Sequence, residues 1–170
     1  MSFNWVLPVA EVLVAVGTIL LALVTYLSNR DLRIQQKSDE KRYLNEQRRK
    51  FLEERIYNYY TPLITKYYAS VNTKEFTKDL IEILPHNQHL ASRVVRHLIM
   101  EFFSSLYSDG KPSTWVALSI QIFKAAWKEY EEMNEELYKL TGENFQKLGN
   151  VDFVVSRLES VHKTLIDHGN

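Results

Sequence analysis

WVLPVAEVLVAVGTILLALVTYL, at residues 5–27, is a run of 23 residues that contains one charged side chain, Glu11. As an α-helix with a rise of about 1.5 Å per residue, it is long enough to cross a hydrocarbon layer of about 30 Å. Trp5 and Tyr26 lie near its ends, and aromatic side chains are enriched at the depth of lipid headgroups. The run therefore predicts a transmembrane helix.

A cleaved signal peptide is the alternative interpretation of this segment. Signal peptides have a positively charged start, an apolar core of about 7–15 residues and small residues at the cleavage site. Here residues 1–4 carry no Lys or Arg, the apolar core is longer, and TYLS at residues 25–28 is a poor cleavage site. We therefore expect an uncleaved signal-anchor.

The charges that follow the segment predict its orientation. Eight basic residues stand at positions 28–50, and none precedes the segment. Because basic residues are retained on the cytoplasmic side, we expect residues 1–4 outside the cell membrane and the C-terminal body in the cytoplasm. The eight are Arg30, Arg33, Lys37, Lys41, Arg42, Arg48, Arg49 and Lys50.

Residues 28–50 form a predicted stalk helix with few apolar positions. Four acidic residues offset the eight basic ones, which leaves a net charge of +4. A helix that is polar on all sides is exposed to water. Two interpretations of the basic residues stay open: they set the topology alone, or they also face anionic lipids. Membrane lipids are thus a predicted partner.

Small and polar residues in the span recur at steps of four and three, which places them on one helix face. In lipid such a face favours helix association, because small side chains let backbones approach and hydroxyls can bond across. A carboxyl inside a membrane also costs a few kcal/mol unless it is protonated or paired. The alternative is a span that starts near Val12, with Glu11 in the wet interface. The association seam consists of Glu11, Ala15, Thr18, Ala22, Thr25 and Asn29.

Residues 51–170 are predicted to form a compact bundle of four or five helices. Apolar residues recur every three or four positions, as at Leu52, Ile56 and Tyr59, and no run alternates for long enough to require a strand. The chain has 5 Gly and 4 Pro, too few for most β-rich folds. The expected class is all-α: one transmembrane helix, a charged stalk and a bundle.

Start and stop signals predict where the helices of the body begin and end. Pro62 predicts a kink or break in the first helix. Asn72-x-x-Glu75 resembles a capping box that opens the second helix, and Pro85 ends it. The other expected boundaries are residues 87–107 for the third helix, Ser113 as N-cap and Gly142 as end of the fourth, and Asn150 before the fifth.

Motifs for metal binding or catalysis are weak in this sequence. His89, His97 and Glu101 share one row of a predicted helix, as metal ligands would, but Arg93 lies in the same row and would repel a cation. Glu159-x-x-His162 is one of the two Glu-x-x-His motifs that di-iron bundles need. The chain has no Cys, and its sequence contains no phosphate-binding glycine loop. We expect no metal, no cofactor and no catalysis.

The charge of the body argues against nucleic acid as a partner. Residues 51–170 carry 13 basic and 16 acidic side chains, a net charge of −3. Binding to nucleic acid is dominated by basic residues that contact phosphates, so we expect none here. The run KEYEEMNEE at residues 128–136 either attracts a divalent ion or a basic partner, or is a solvated helix face.

Five tyrosines are crowded into the first body helix. Positions 57, 59 and 60 point in different directions on a helix, so they cannot all face one core. They either pack between helices or form part of a partner surface, because Tyr combines a large ring with a polar tip. The five are Tyr57, Tyr59, Tyr60, Tyr67 and Tyr68.

These features favour a single-pass, membrane-anchored interaction or scaffold protein without catalytic activity. Its span is expected to associate through the seam, with another copy or another membrane protein, while the body engages a partner. The alternative is an oligomeric channel or membrane-permeabilising protein, in which Glu11, Thr18 and Thr25 line a wet pore. That alternative requires expression to dissipate the membrane potential. An enzyme is the least favoured hypothesis.

Overall fold

The computed structural model describes residues 6–71, 76–108, 110–142 and 150–168, with side chains from residue 11 to residue 167 within those ranges. Every regular element in these ranges is helical, which confirms the predicted all-α class. In chain order the elements are α1 (Val6–Arg55), a π-helical segment (Ile56–Tyr60), α2 (Thr61–Ser70), α3 (Phe76–Ile83), a 3₁₀ turn (Gln88–Leu90), α4 (Arg93–Tyr107), α5 (Pro112–Thr141) and α6 (Val151–His168).

The chain divides into two compact units, one up to Gln47 and one from Arg48 onward. The body was predicted to begin at residue 51, so the division lies three residues earlier. In the first unit, every side chain of residues 11–47 is exposed. This unit therefore has no hydrophobic core of its own among the described residues.

The second unit is a helical bundle arranged around α5. This helix packs against α2, α4, α6 and the π-helical segment. Its inner face buries Ile122, Phe123 and Leu137 completely, and α6 contributes the buried Val154 and Leu158. Each such side chain stabilises the fold by about 1.5–3 kcal/mol through removal from water.

Pro62 shapes the entry of the chain into the bundle, as its position predicted. A proline has no N–H with which to bond the carbonyl four residues earlier. That carbonyl, on Asn58, instead accepts a hydrogen bond from the Asn87 side-chain amide at 3.0 Å. The preceding segment Ile56–Tyr60 takes π geometry, and Pro62 lies in the first turn of α2. The break is thus a π-helical segment rather than a loop.

Three predicted helix ends are confirmed. α3 ends at Ile83, shortly before Pro85. Gly142 adopts a left-handed conformation with φ of 74° just after α5, a backbone state that costs Gly little. Asn150 precedes α6, and its side-chain oxygen accepts a hydrogen bond from the Asp152 N–H at 2.9 Å. The predicted capping box Asn72-x-x-Glu75 lies outside the described residues.

The predicted start of the third helix is wrong. Asn87 has a φ of 51°, a left-handed conformation that does not continue an α-helix, and a 3₁₀ turn follows it. The helix, α4, begins instead at Arg93, with Ser92 as its N-cap. The Ser92 hydroxyl accepts a hydrogen bond from the Val95 N–H at 3.1 Å, which satisfies a free donor of the first turn.

The predicted N-cap of the fourth helix is also wrong. The helix, α5, begins at Pro112, so Ser113 lies within its first turn, and the N-cap is Lys111 without a side-chain hydrogen bond. Proline suits the first helical position because its missing N–H would have no partner there.

We predict that Ile122→Ala lowers the free energy of unfolding of the bundle by about 2–5 kcal/mol. The Ile122 side chain is fully buried in α5, so its truncation leaves a cavity. Urea unfolding of the full chain in detergent, followed by tryptophan fluorescence, measures the loss. Lys128→Ala, at an exposed position of the same helix, is the control and should change stability by less than about 0.5 kcal/mol. Equal effects of the two substitutions would contradict the assigned core.

Candidate functional site

The most conspicuous surface of the chain is the apolar part of α1. Within the described residues, α1 contains the one helical stretch that is long and apolar enough to cross a membrane, and none of that stretch is buried. Its large side chains are exposed, for example Leu13 (67% exposed) and Leu21 (73% exposed). Large contiguous apolar surfaces are rare on soluble proteins and indicate contact with a membrane or another protein.

All six residues of the association seam are exposed along this part of α1. Two of them are hydrogen-bonded within their own helix: Thr18 Oγ1 donates to the Val14 carbonyl and Thr25 Oγ1 donates to the Leu21 carbonyl, each at 2.8 Å. Because these bonds use the hydroxyl protons, the threonines can still accept a bond from a neighbouring helix but have no free proton to donate. The seam therefore offers close packing more than hydrogen bonding.

The eight predicted lipid-facing basic residues fall into two groups. Arg30, Arg33, Lys37, Lys41 and Arg42 are exposed, and in the part of the chain that the structure describes none of them forms an ion pair. The other three, Arg48, Arg49 and Lys50, belong to the second compact unit. The groups thus have different surroundings.

Arg48 contacts the body rather than standing free. Its guanidinium forms two hydrogen bonds with the Glu136 carboxylate, Nε to Oε1 at 2.7 Å and Nη2 to Oε2 at 2.8 Å. These bonds lower the pKa of Glu136 below its usual range. Arg49 pairs with Glu53 at 2.7 Å. The Arg48 side chain is thus paired with α5, while half of its surface stays exposed.

The structure separates the five tyrosines. Tyr59, Tyr60 and Tyr67 are buried in the core, so the prediction of a partner surface is wrong for these three. Tyr68 is partly buried and packs edge-on against aromatic rings of α5. Tyr57 is 55% exposed, so the prediction of a partner surface stays open for this residue.

A polar network surrounds the carboxylate of Glu129, on α5. The hydroxyls of Tyr60 and Ser92 both donate to this carboxylate. Arg55 Nη2 donates to the Tyr60 hydroxyl at 3.1 Å and lies 3.6 Å from Glu129 Oε2. The Ser92 N–H also donates to the Tyr60 hydroxyl, at 3.2 Å. The network joins the end of α1, the π-helical segment, the N-terminus of α4 and the middle of α5.

The surroundings of this network favour stability over chemistry. Tyr60 is fully buried, and only about a fifth of the Arg55 and Glu129 side chains is exposed. Burial, together with the hydrogen bond to Glu129, raises the pKa of Tyr60 to about 12. Its hydroxyl therefore stays protonated at neutral pH and keeps donating to the carboxylate. Because the four groups satisfy one another, the network holds four elements in place.

Sequence reasoning missed this network. Its members are far apart in the chain and belong to common residue types, so no local spacing connects them. The one available signal was Ser92, a preferred N-cap residue just before the apolar positions Val94 and Val95. Extending the third helix back to Asn87 concealed it.

The candidate metal ligands do not converge. Among the described residues no group of three or more His, Asp or Glu side chains is placed to hold a metal ion. His97 and Glu101 lie 3.3 Å apart on the exposed face of α4. In the acidic run, Glu132 and Glu135 pair with basic residues of the same helix. With Glu136 bound to Arg48, this run behaves as a solvated, largely neutralised face.

Comparisons of the chain with protein family models, with curated proteins and with solved structures found no match. Function is therefore inferred from the residues of this chain alone. Two features stand out among those described: the uncovered apolar surface of α1 and the four-residue network around Glu129.

We predict that Glu129→Ala lowers the free energy of unfolding by about 3–6 kcal/mol, because two hydrogen bonds to its carboxylate are lost. The substitution removes hydrogen bonds to a charged group, each of which contributes about 1.5–3 kcal/mol, and leaves Arg55 without its nearby acid. Glu131→Ala, at an exposed position of the same helix, is the matched control. Urea unfolding of the full chain in detergent measures both. A Glu129→Ala variant as stable as Glu131→Ala would show that the network does not hold the bundle.

The raised pKa of Tyr60 predicts a loss of stability at alkaline pH. Its folded pKa is about 12, against an ordinary value of 10.0, so the folded state holds the proton more tightly. The stabilisation is complete below pH 10 and is lost as the pH rises toward 12, by about 2 kcal/mol at the upper end.

Tyr60→Phe tests this assignment, because phenylalanine has no proton to lose. The stability difference between the wild-type chain and this variant should shrink by about 2 kcal/mol between pH 10 and pH 12. Unfolding in urea at a series of pH values measures the difference. A difference that stays constant with pH would contradict the shifted pKa.

Proposed function

We propose that this chain is a single-pass, membrane-anchored helical protein that acts by binding rather than by catalysis. The observation that carries the proposal is the exposed apolar surface of α1, which no described part of the chain covers. The body has a core of its own, so that surface is not needed to complete the bundle. A hydrocarbon layer is the surrounding that such a helix fits by length and composition.

The proposed location is the cell membrane, with the N-terminus outside and the body in the cytoplasm. The eight basic residues at positions 28–50 support this orientation, because they directly follow the apolar segment and none precedes it. The segment is longer than the core of a signal peptide, which supports retention as an anchor.

The proposed mode of action is association through the span, with another copy of this chain or another membrane protein. Support comes from the seam, whose small side chains lie on one exposed face of α1. In lipid, aliphatic faces gain little by meeting each other, whereas small residues allow close packing of backbones. The internal hydrogen bonds of Thr18 and Thr25 fit this mode, because these hydroxyls can lie at a tight interface without an unsatisfied proton.

The body is proposed to recruit or brace a partner in the cytoplasm. Apolar side chains remain on the outer faces of α4 and α6 after the core is complete, including Val94, Met100, Phe153 and Ile166. Exposed apolar residues beside charged ones are common at protein interfaces. The small exposed fraction of Arg55 and Glu129, and the hydrogen bonds among the network groups, give no support to a catalytic role for that network.

The proposal predicts that two substitutions in the seam disrupt association. Thr18→Leu combined with Ala22→Leu fills the small face and prevents close approach of backbones. Because such contacts are worth roughly 0.6–2 kcal/mol each, association should weaken about tenfold or more. Chemical crosslinking of the full chain in native membranes, followed by pull-down from detergent extract, measures it.

The matched control for this experiment is Val16→Leu combined with Val24→Leu. Neither position lies three or four residues from a seam residue, so the two leucines add bulk to another side of the same helix. The control should assemble like the wild-type chain. A seam variant that assembles normally, or a wild-type chain that crosslinks to nothing, would contradict association through the seam.

A further inference from the structure

Four basic residues form a continuous stripe on α1 immediately after the apolar segment. Arg30, Arg33, Lys37 and Lys41 follow one another at steps of three, four and four, so they share one helix face. Of the four acidic residues at positions 28–50, only Glu40 lies three or four positions from a member of the stripe. The other three acidic side chains of this region, Asp31, Asp39 and Glu46, therefore lie away from the stripe.

This arrangement is unfavourable for an isolated helix. Like charges three or four residues apart repel each other, and the stripe contains three such neighbouring pairs. Within the described residues none of the four forms an ion pair, and all four are exposed. If the charges served solubility alone, acidic and basic residues could alternate along this face and pair with each other. Arg49 and Glu53, later in the same helix, form such a pair. The stripe therefore presents a surface suited to an external anion.

The position of the stripe identifies the anion. Arg30 lies three residues beyond the last residue of the predicted span, about 4.5 Å along the helix, and Arg33 lies about 9 Å along. A headgroup layer is about 5–8 Å thick, and long basic side chains extend along a surface to place their charge in it. Tyr26, one turn before Arg30, lines the same shallow depression as Arg30, Arg33 and Lys37. This depression is thus continuous with the membrane boundary.

We propose that the stripe binds the phosphate and carboxylate groups of anionic phospholipids in the leaflet that α1 enters. Arg30 and Arg33 reach the headgroups directly, and Lys37 reaches them when α1 tilts toward the side of the stripe. Lys41 adds attraction at longer range. Each basic residue near an anionic surface favours binding by about fivefold, so the stripe sets the direction of tilt. This inference rests on the proposed membrane anchorage.

Two labelled positions at almost the same height on the helix test the inference. The chain has no cysteine, so Ile34→Cys and Gln35→Cys can each carry a single fluorescent probe. Ile34 lines the same depression as the stripe, whereas Gln35 lies on another side of the helix. The full chain is reconstituted into phosphatidylcholine vesicles, with or without phosphatidylserine, and a headgroup-attached quencher reports how close each probe lies to the surface.

The expected result is roughly twofold stronger quenching at Ile34→Cys in vesicles with phosphatidylserine than in vesicles without it, and no increase at Gln35→Cys. High salt should remove the difference, because at about 1 M the range of electrostatic attraction falls to about 3 Å. Equal quenching in both kinds of vesicle would overturn the inference. The basic residues would then only set the orientation of the span.

A charge-matched pair of variants separates the stripe from net charge. Arg30→Gln, Arg33→Gln and Lys37→Gln together should abolish the response of the Ile34→Cys probe. Arg42→Gln, Arg49→Gln and Lys50→Gln remove the same charge from positions outside the stripe and should preserve it. If both triple variants lose the response, net charge rather than the stripe attracts the lipid, and the inference is wrong.

A third probe distinguishes this inference from the membrane anchorage on which it rests. Leu20→Cys lies within the apolar segment and should be quenched by acyl-chain labels in both kinds of vesicle. Quenching at Leu20→Cys without a lipid-dependent response at Ile34→Cys would overturn only the lipid contact. A Leu20→Cys probe that stays in water would overturn the anchorage as well.

Discussion

The apolar face of α1 has to be kept out of water. The side chains from Val12 to Val24 are exposed along the helix, and covering each large one gains about 1.5–3 kcal/mol. The described part of the chain offers no surface that covers them. Because α1 is helical there, its backbone groups are bonded to one another, as a hydrocarbon environment requires. Membrane anchorage would explain both the uncovered apolar side chains and the fully helical backbone of this segment.

The body, in contrast, buries its apolar side chains in a core of its own. α5 packs against the buried faces of its neighbours, and the network around Glu129 joins it to the end of α1, the π-helical segment and the N-terminus of α4. Arg48 adds a bidentate ion pair with Glu136 on the outside of the same helix. Pro62 cannot donate a hydrogen bond to the Asn58 carbonyl, and the Asn87 side-chain amide donates to that carbonyl instead. The body is thus specified by contacts distinct from the apolar segment.

Much of the fold follows from short-range rules that the sequence displays. The apolar period predicted the helical class, and Pro85, Gly142 and Asn150 marked helix ends because their backbone chemistry stops or starts a helix locally. The wrong start of the third helix arose where distant residues decide the outcome, whereas the wrong N-cap at Ser113 overlooked the local preference of Pro112 for the first helical position. Asn87 takes a left-handed conformation while its side chain bonds to Asn58, far back in the chain.

The candidate sites were less predictable for the same reason. The spacing of the seam and of the basic residues is visible in the sequence, because both lie on one helix. The partner of Arg48 is 88 positions away, and Tyr60 meets Glu129 across 69 positions, so helical spacing cannot reveal either contact. The sequence allowed a surface position for all five tyrosines, and only the packing of the helices shows that Tyr59, Tyr60 and Tyr67 lie in the core.

Alkaline carbonate extraction of membranes that contain the full-length chain, followed by mass measurement, tests the membrane anchorage most directly. Carbonate strips proteins that only adhere to membranes and leaves those that span them. If α1 spans the membrane, a chain of 20.0 kDa, with the apolar segment still attached, stays in the membrane pellet. Recovery of the chain in the soluble fraction, or of a product that has lost the apolar segment, would contradict it.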